Sequence, residues 1–122
     1  MLEERRSAKR FPAKIGMVFA DSEGLNFSFI TSISRSGIFL ETEKILTPGS
    51  TIKFVLSNSV SKVPVEGEVV RAKNAVFEGG ASGMGIRFEN MDEMGKMIRD
   101  DILLYLMNYR YQQIWLNTAQ AA

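Results

Sequence analysis

Apolar and polar residues alternate with a period of two through most of the chain, and this pattern constrains the fold more than any other feature. In the run KIGMVFA, Ile15, Met17 and Phe19 alternate with smaller or polar neighbours. Similar runs follow up to residue 90, separated by turn signals such as DSEG at 21–24 and TPGST at 47–51. A period of two is the repeat of a β-strand with one buried face. The pattern therefore predicts a mainly β domain.

The later alternating runs are LNFSFITSIS, GIFLETE, TIKFVLS, VPVEGEVVRA and MGIRFEN. In the first of these, alternation predicts that Phe27 and Phe29 lie on core positions. Six short strands with no intervening helix are typical of a small antiparallel barrel. We therefore predict a six-stranded antiparallel β-barrel over residues 12–90.

The period changes to three and four residues from Met91 onward, which predicts a C-terminal α-helix over residues 91–117. Asn90 and Glu93 have the spacing of a helix cap and its partner. One predicted face carries Met91, Met94, Ile98, Ile102, Tyr105 and Tyr109, and a second carries Leu103, Met107, Tyr111 and Ile114. The second face fits three interpretations: an end cap around the barrel, a homodimer through the helix, or a groove for a partner. Residues 118–122 are predicted to be a tail.

The composition argues against catalysis. The chain contains no cysteine and no histidine, so it lacks a thiolate nucleophile and the commonest general base and metal ligand. Serines such as Ser34 and Ser36 have no histidine to activate them. We therefore predict no enzymatic activity, no catalytic residue and no metal site.

The charge distribution bears on location and on partners. No apolar run is long enough to span a bilayer, and no signal peptide is visible, so the expected location is the cytoplasm. A net charge of +1 argues against binding to a nucleic acid polymer. Four cations diluted by two glutamates in the first ten residues are a weak membrane signal, so we expect no membrane association.

The segment ERRSAKRF collects most of the local positive charge, in Arg5, Arg6, Lys9 and Arg10. A guanidinium can bind phosphate or the edge of guanine through two donors, and its flat face can stack on a purine. Pro12 disfavours helix at Phe11 and favours an extended chain. Residues 1–11 are therefore predicted to be a flexible basic lead-in; from its charge alone, a solvated tail is the better interpretation.

A second polar segment, SISRSG at residues 32–37, lies between two predicted strands. Short hydroxyl side chains next to Gly37 are typical of a tight turn whose backbone can approach a ligand closely. Taken alone, this segment is an ordinary serine and glycine turn. The presence of both segments, one before the barrel and one within it, favours a binding site.

Together these segments resemble the PilZ domain family. RRSAKR matches the RxxxR motif of that family, SISRSG resembles its (D/N)xSxxG motif, and GMGIRF at 83–88 is similar to its closing strand. The resemblance covers nearly the whole chain and implies a PilZ-type barrel with a C-terminal helix. It also implies a bacterial receptor for cyclic di-GMP, which would be a ligand and not a cofactor.

The resemblance also implies roles for individual residues. Arg6 and Arg10 would hold guanine edges and phosphates, Ser34 would contact the ligand, and Gly37 would keep the loop tight. Arg5 would stack on a base or favour an intercalated dimer of the ligand, and Arg35 is a further cation within the turn. Ser32 stands where the family has Asp or Asn, so the ligand would lose one hydrogen bond there and bind more weakly.

The predicted function is to bind cyclic di-GMP, to order the N-terminal arginines onto the barrel and so to signal to an effector protein, which the sequence does not identify. Motility and exopolysaccharide regulation are outputs of the family. The alternative is an adaptor of the same fold that does not bind the nucleotide and acts through protein contacts.

Overall fold

Each of the six alternating runs forms a β-strand. A computed structural model describes the backbone of residues 9–121 and the side chains of residues 9–109. Within these residues the strands are β1 (Phe11–Asp21), β2 (Gly24–Ile33), β3 (Gly37–Glu41), β4 (Thr51–Ser57), β5 (Lys62–Lys73) and β6 (Gly83–Glu89). A short helix, α1 (Ala75–Glu78), lies between β5 and β6, and a long helix, α2 (Glu93–Ala121), follows β6.

The strands close into an antiparallel barrel in the order β1-β2-β3-β6-β5-β4. The last pair is the shortest, because β1 and β4 are joined only where Phe19 faces Phe54 and Ala20 faces Lys53. This short pairing closes the barrel and so reduces the exposed sheet edge, which is the main aggregation hazard of an open sheet. The predicted six-stranded barrel with a C-terminal helix is confirmed.

The inward faces of the strands form a single apolar core. Its side chains come from all six strands and from Ile98 of α2. The alternation is clearest in β4, where Ile52, Phe54 and Leu56 are buried and their neighbours are exposed. Burial of about 25 cal/mol for each Å² of apolar surface is the main term that stabilises such a barrel.

The predicted orientation of β2 is wrong. Phe27 is 65% exposed and Leu25 is 78% exposed, whereas Ser28 and Ile30 are buried. Cross-strand partners share a face, and Ser28 is paired with Met17, which already points into the core. A barrel of six strands has little room beside Met17 and Phe19, so the small Ser28 faces inward and donates its hydroxyl to the carbonyl oxygen of Met17 at 3.0 Å.

The long helix begins one turn after the barrel. Asp92 caps it, in place of the predicted Asn90, because its carboxylate accepts the N–H of Gly95 at 2.8 Å. The helix continues to Ala121, so it includes all but the last residue of the predicted tail. Four of its apolar residues pack in or against the core, namely Ile98, Ile102, Leu103 and Leu106, and Met91, just before the helix, packs there too.

Three members of the first predicted helix face, Met94, Tyr105 and Tyr109, are exposed. The other three members, Met91, Ile98 and Ile102, pack in or against the core, so the apolar spacing identified the helix and half of the predicted face. Among residues 93–109, whose side chains the structure describes, Leu106 is the last that packs against the core.

Candidate functional site

Arg10 of the basic segment and Ser32 of the polar segment meet at one end of the barrel. Arg10 immediately precedes β1, and Ser32 lies near the end of β2, where Pro12 is its cross-strand partner. The Arg10 guanidinium donates from Nη1 to the hydroxyl oxygen of Ser32 at 3.2 Å. These residues are 22 positions apart in the sequence, so the barrel brings the motifs together. Arg10 is exposed, and a guanidinium has further N–H donors besides those of Nη1.

Arg5 and Arg6, the other predicted ligand-binding arginines, lie outside the described residues. Their roles therefore stay predictions from the sequence. Lys9, which lies between them and β1, is exposed like Arg10. The described part of the basic segment thus presents two cations at the end of β1.

The loop between β2 and β3, residues 34–36, is called the serine loop here and is organised around the hydroxyl of Ser34. This side chain is buried, and its oxygen accepts the N–H groups of Ser36 at 3.2 Å and Gly37 at 3.3 Å. The backbone N–H of Ser34 also donates to the carbonyl oxygen of Gly37 at 2.8 Å. The hydroxyl of Ser34 therefore shapes the turn, and its contact with a ligand stays a prediction.

Gly37 is required by the close approach of β3 to β6. It is paired with Arg87, and a Cβ at Gly37 would overlap the carbonyl oxygen of Ile86. The N–H of Phe88 donates to the carbonyl oxygen of Ser36 at 2.9 Å, which ties the same loop to the end of β6. The serine loop is thus held by hydrogen bonds within itself and with β6.

A residue of α2 that the sequence analysis did not select also reaches this loop. Arg99 donates from Nη1 to the backbone carbonyl oxygen of Arg35 at 3.1 Å. The two residues are 64 positions apart, and no local motif marks Arg99. The side chain of Arg35, which lies within this loop, is exposed.

Acidic groups on β5 and β6 balance the cation next to Gly37. Arg87 forms ion pairs with Glu68 and, at 3.9 Å, with Glu89. Partial burial raises the pKa of the Glu89 carboxyl above its ordinary value, and a hydrogen bond with Glu68 raises it further. Arg87 is therefore largely neutralised by its neighbours, whereas the partner of Arg10 among the described residues is a hydroxyl and not a carboxylate.

Other features of the described residues lie away from these motifs. A cavity of about 290 Å³ between β4, β5 and the start of α2 is lined by Lys53, Glu66 and Met91 among others, and by none of the predicted site residues. Across residues 9–121, no group of three or more acidic side chains is arranged to hold a metal ion. None of the helices in that part of the chain is long and apolar enough to cross a bilayer.

The fold and the site together define a small closed β-barrel module with an arginine and a serine loop at one rim. The PilZ domain family model matches residues 4–104, and the chain belongs to that family. PilZ domains are receptors and adaptors, which agrees with the prediction that the chain is not an enzyme. No curated protein sequence matches the chain significantly.

Solved structures with the same fold include three that are informative. The PilZ domain with c-di-GMP of YcgR from Escherichia coli has a TM-score of 0.70 and 12% identity, over 90% of this chain and 97% of that one. The PilZ domain of CeSA from a cellulose synthesizing bacterium has a TM-score of 0.63 and 12% identity, with 82% and 99% covered. The Bacillus subtilis inhibitor of motility (MotI/DgrA) has a TM-score of 0.66 and 16% identity, with 88% and 52% covered.

Proposed function

We propose that the chain is a receptor for cyclic di-GMP and binds it at the rim formed by the basic segment and the serine loop. The observation that carries this proposal is the contact between Arg10 and Ser32, which lie in different motifs. The PilZ domain of YcgR, which has the same fold, was solved with c-di-GMP. The proposed ligand contacts are Arg5, Arg6, Arg10 and Ser32, with Ser34 and Gly37 shaping the loop.

The chemistry of the rim suits a ligand with two phosphates and two guanines. Charge-assisted hydrogen bonds contribute about 1.5 to 3 kcal/mol each, so three of them at the upper end of this range sum to about 9 kcal/mol, close to the roughly 8 kcal/mol of micromolar binding. Arg10 is exposed and paired only with a neutral hydroxyl, so recruiting it to a phosphate breaks no ion pair among the described residues. Ser32 offers one hydroxyl where Asp or Asn would offer two acceptors or an amide, which weakens the site.

Ligand binding is proposed to order the N-terminal arginines onto the barrel and so to present a changed surface to an effector protein in the cytoplasm. The energy for this ordering comes from the new hydrogen bonds, which must exceed the entropy lost by the segment. Structural neighbours named for cellulose synthesis and for inhibition of motility support a role in one of these two processes.

A titration tests the proposal directly. Calorimetry with cyclic di-GMP should show saturable binding, and GTP and cyclic AMP should give none at the same concentration. No heat and no retention of cyclic di-GMP at about 100 µM would contradict the proposal, because that affinity corresponds to about −5.5 kcal/mol.

Substitution of the arginines identifies the site. Arg10→Ala and Arg6→Ala should each lower the affinity at least tenfold and leave the melting temperature unchanged, because Arg10 is exposed and outside the core. Lys53→Ala is the matched control, since Lys53 is an exposed cation on β4. If Arg10→Ala binds as the wild type does, the proposed site is wrong.

An adaptor that does not bind the nucleotide is the second candidate function. It is favoured by an exposed apolar surface on β1 and β2, where Val18, Leu25 and Phe27 point away from the core. Apolar patches on the surface of a folded protein commonly mark contacts with other proteins. A protein complex whose recovery is unchanged by cyclic di-GMP would support the adaptor.

A further inference from the structure

Arg99 is a largely, but not fully, buried cation at the junction of α2 and the serine loop. Its side chain is only 11% exposed, although an arginine on a helix usually extends its charged end into water. The Nε donates to the carboxylate of Asp100 at 2.9 Å, and Nη1 donates to the carbonyl oxygen of Arg35. Nη1 also lies 3.9 Å from the sulfur of Met91, which belongs to the apolar surface under the helix. The guanidinium is therefore fixed by contacts on several sides.

The peptide unit between Arg35 and Ser36 is held from both of its polar ends. Its carbonyl oxygen accepts from Arg99 at 3.1 Å, and its N–H donates to the hydroxyl oxygen of Ser34 at 3.2 Å. A peptide unit is rigid, so fixing both groups fixes its plane and with it the positions of the Cα atoms of Arg35 and Ser36. The helix thus contributes to the conformation of a loop that belongs to the barrel.

We propose that Arg99 is a positioning residue that holds the serine loop in its ligand-binding conformation and couples ligand binding to the docking of α2. This inference rests on the proposed function. If Arg99 favours the binding conformation of the loop, the ligand must favour the docked helix by the same factor, because coupling between two binding equilibria is reciprocal. Movement or tightening of α2 would then signal that the site is occupied.

The structure supplies a matched pair of substitutions. Arg99→Met removes the donors but keeps an unbranched side chain that can pack on Met91. Asp101→Ala removes a different hydrogen bond between helix and barrel, from Nδ2 of Asn58 to Asp101 at 2.9 Å, which does not involve the serine loop. Arg99→Lys keeps the charge and one donor nitrogen. It takes the place of Arg99→Met in the test if Arg99→Met does not fold.

The first measurement is amide hydrogen exchange without ligand. Arg99→Met should accelerate exchange at Ser36 and Gly37 about tenfold, and Arg99→Lys should accelerate it less. Asp101→Ala should leave both amides within about twofold of the wild type. Equal exchange in Arg99→Met and the wild type would overturn the positioning role, and so would equal acceleration in Asp101→Ala.

The second measurement is calorimetric titration with cyclic di-GMP, together with exchange of residues 93–106 with and without the ligand. Arg99→Met should bind about tenfold more weakly and lose the ligand-induced protection of the helix. Asp101→Ala should bind within about twofold of the wild type. A wild type that does not bind contradicts the proposed function, whereas the exchange of Ser36 and Gly37 still decides the role of Arg99. Unchanged affinity in Arg99→Met, beside a wild type that binds, overturns the coupling.

Discussion

Ser32 is the residue on which the affinity of the proposed site depends most. Its hydroxyl accepts a hydrogen bond from Arg10 at 3.2 Å and can make few others. An asparagine there could hold Arg10 with its carbonyl oxygen and still donate from its amide to the ligand. The loss of one hydrogen bond costs about 1 to 2 kcal/mol, which is on the order of tenfold in affinity.

Ser32→Asn should therefore bind cyclic di-GMP about tenfold more tightly than the wild type. The substitution adds no charge, so the change in calorimetric affinity reports hydrogen bonding and not long-range attraction to the phosphates. Ser57→Asn, on the exposed face of β4, is the matched control and should bind as the wild type does. A Ser32→Asn protein with unchanged affinity would show that the second motif does not contact the ligand.

Asp21 is a residue whose charge stabilises a turn at the opposite end of the barrel. Its carboxylate accepts the N–H groups of Glu23 at 2.7 Å and Gly24 at 3.0 Å, and Nδ2 of Asn26 at 3.1 Å. The hydrogen bond from Glu23 is the largest of the effects that hold the pKa of Asp21 below its ordinary value near 3.8. Lys44, 3.9 Å away, adds a smaller attraction.

The lowered pKa of Asp21 predicts a pH dependence of stability. A carboxylate whose folded pKa lies below its unfolded pKa stabilises the fold above the unfolded value, and this contribution is lost as pH falls through the folded value. The melting temperature should therefore decrease as the pH is lowered below about 4. Asp21→Asn keeps an oxygen acceptor but has no charge, so its melting temperature should fall less over the same range. Parallel curves for the two proteins would contradict this assignment.

At the scale of secondary structure, the pairing of β3 with β6 leaves no space for a side chain at Gly37. Gly37→Ala would bring its Cβ against the carbonyl oxygen of Ile86, so one of the two strands must shift. We expect a loss of about 2 kcal/mol or more in the free energy of unfolding, measured by urea denaturation.

Gly16→Ala is the matched control for Gly37→Ala, because both glycines lie in strands. A Cβ at Gly16 would lie 3.6 Å from the ring of Phe27, which is an ordinary contact. Replacing glycine within a strand reduces the freedom of the unfolded chain, so Gly16→Ala should be neutral or stabilise by about 0.5 kcal/mol. Equal effects at the two positions would contradict the crowding between β3 and β6.

The six strands and the long helix could be predicted because most of them have a local apolar period, whereas the prediction of no helix between the strands is wrong, since the single turn of α1 is too short to show a period. The orientation of β2 could not, since LNFSFITSI has its larger residues on the exposed face and a small Ser28 on the buried face. That choice depends on the space left by Met17 and Phe19 of β1. A period within one strand carries no information about the volume filled by another.

Only part of the candidate site could be predicted, because a local pattern carries no information about contacts between distant residues. The two motifs are local, so Arg10 and Ser32 could be identified and their contact follows from barrel closure. Arg99 could not, because its contact with the carbonyl oxygen of Arg35 joins residues 64 positions apart and involves only the backbone of one of them. A backbone acceptor leaves no signature in the amino-acid sequence.

For the molecule as a whole, α2 is a long helix that carries exposed apolar side chains as well as those that pack on the barrel. It spans 29 residues, or about 43 Å at 1.5 Å per residue, and among residues 93–109, whose side chains the structure describes, the last that packs on the core is Leu106. Met97, Leu104 and Met107 are exposed on one side of it. These residues are spaced by seven and then three positions, and in the sequence Tyr111 and Ile114 follow after four and three more. That spacing is the one by which two helices pack along a shared apolar seam.

This seam predicts a homodimer through α2, in which two copies cover each other's apolar residues. Sedimentation velocity from about 1 to 100 µM should show a monomer that converts to a dimer, the range expected for a modest apolar interface.

The double substitution Leu104→Glu with Met107→Glu should leave a monomer throughout, because burying two carboxylates in an apolar seam costs more than the seam contributes. The barrel should keep its melting temperature, since both side chains are exposed in the monomer. Tyr105→Glu, which alters an exposed residue on another side of the helix, should still dimerise. A wild type that remains monomeric at the highest concentration would leave the seam as a surface for a different protein, and a dimer that survives the double substitution would assign the contact to another surface.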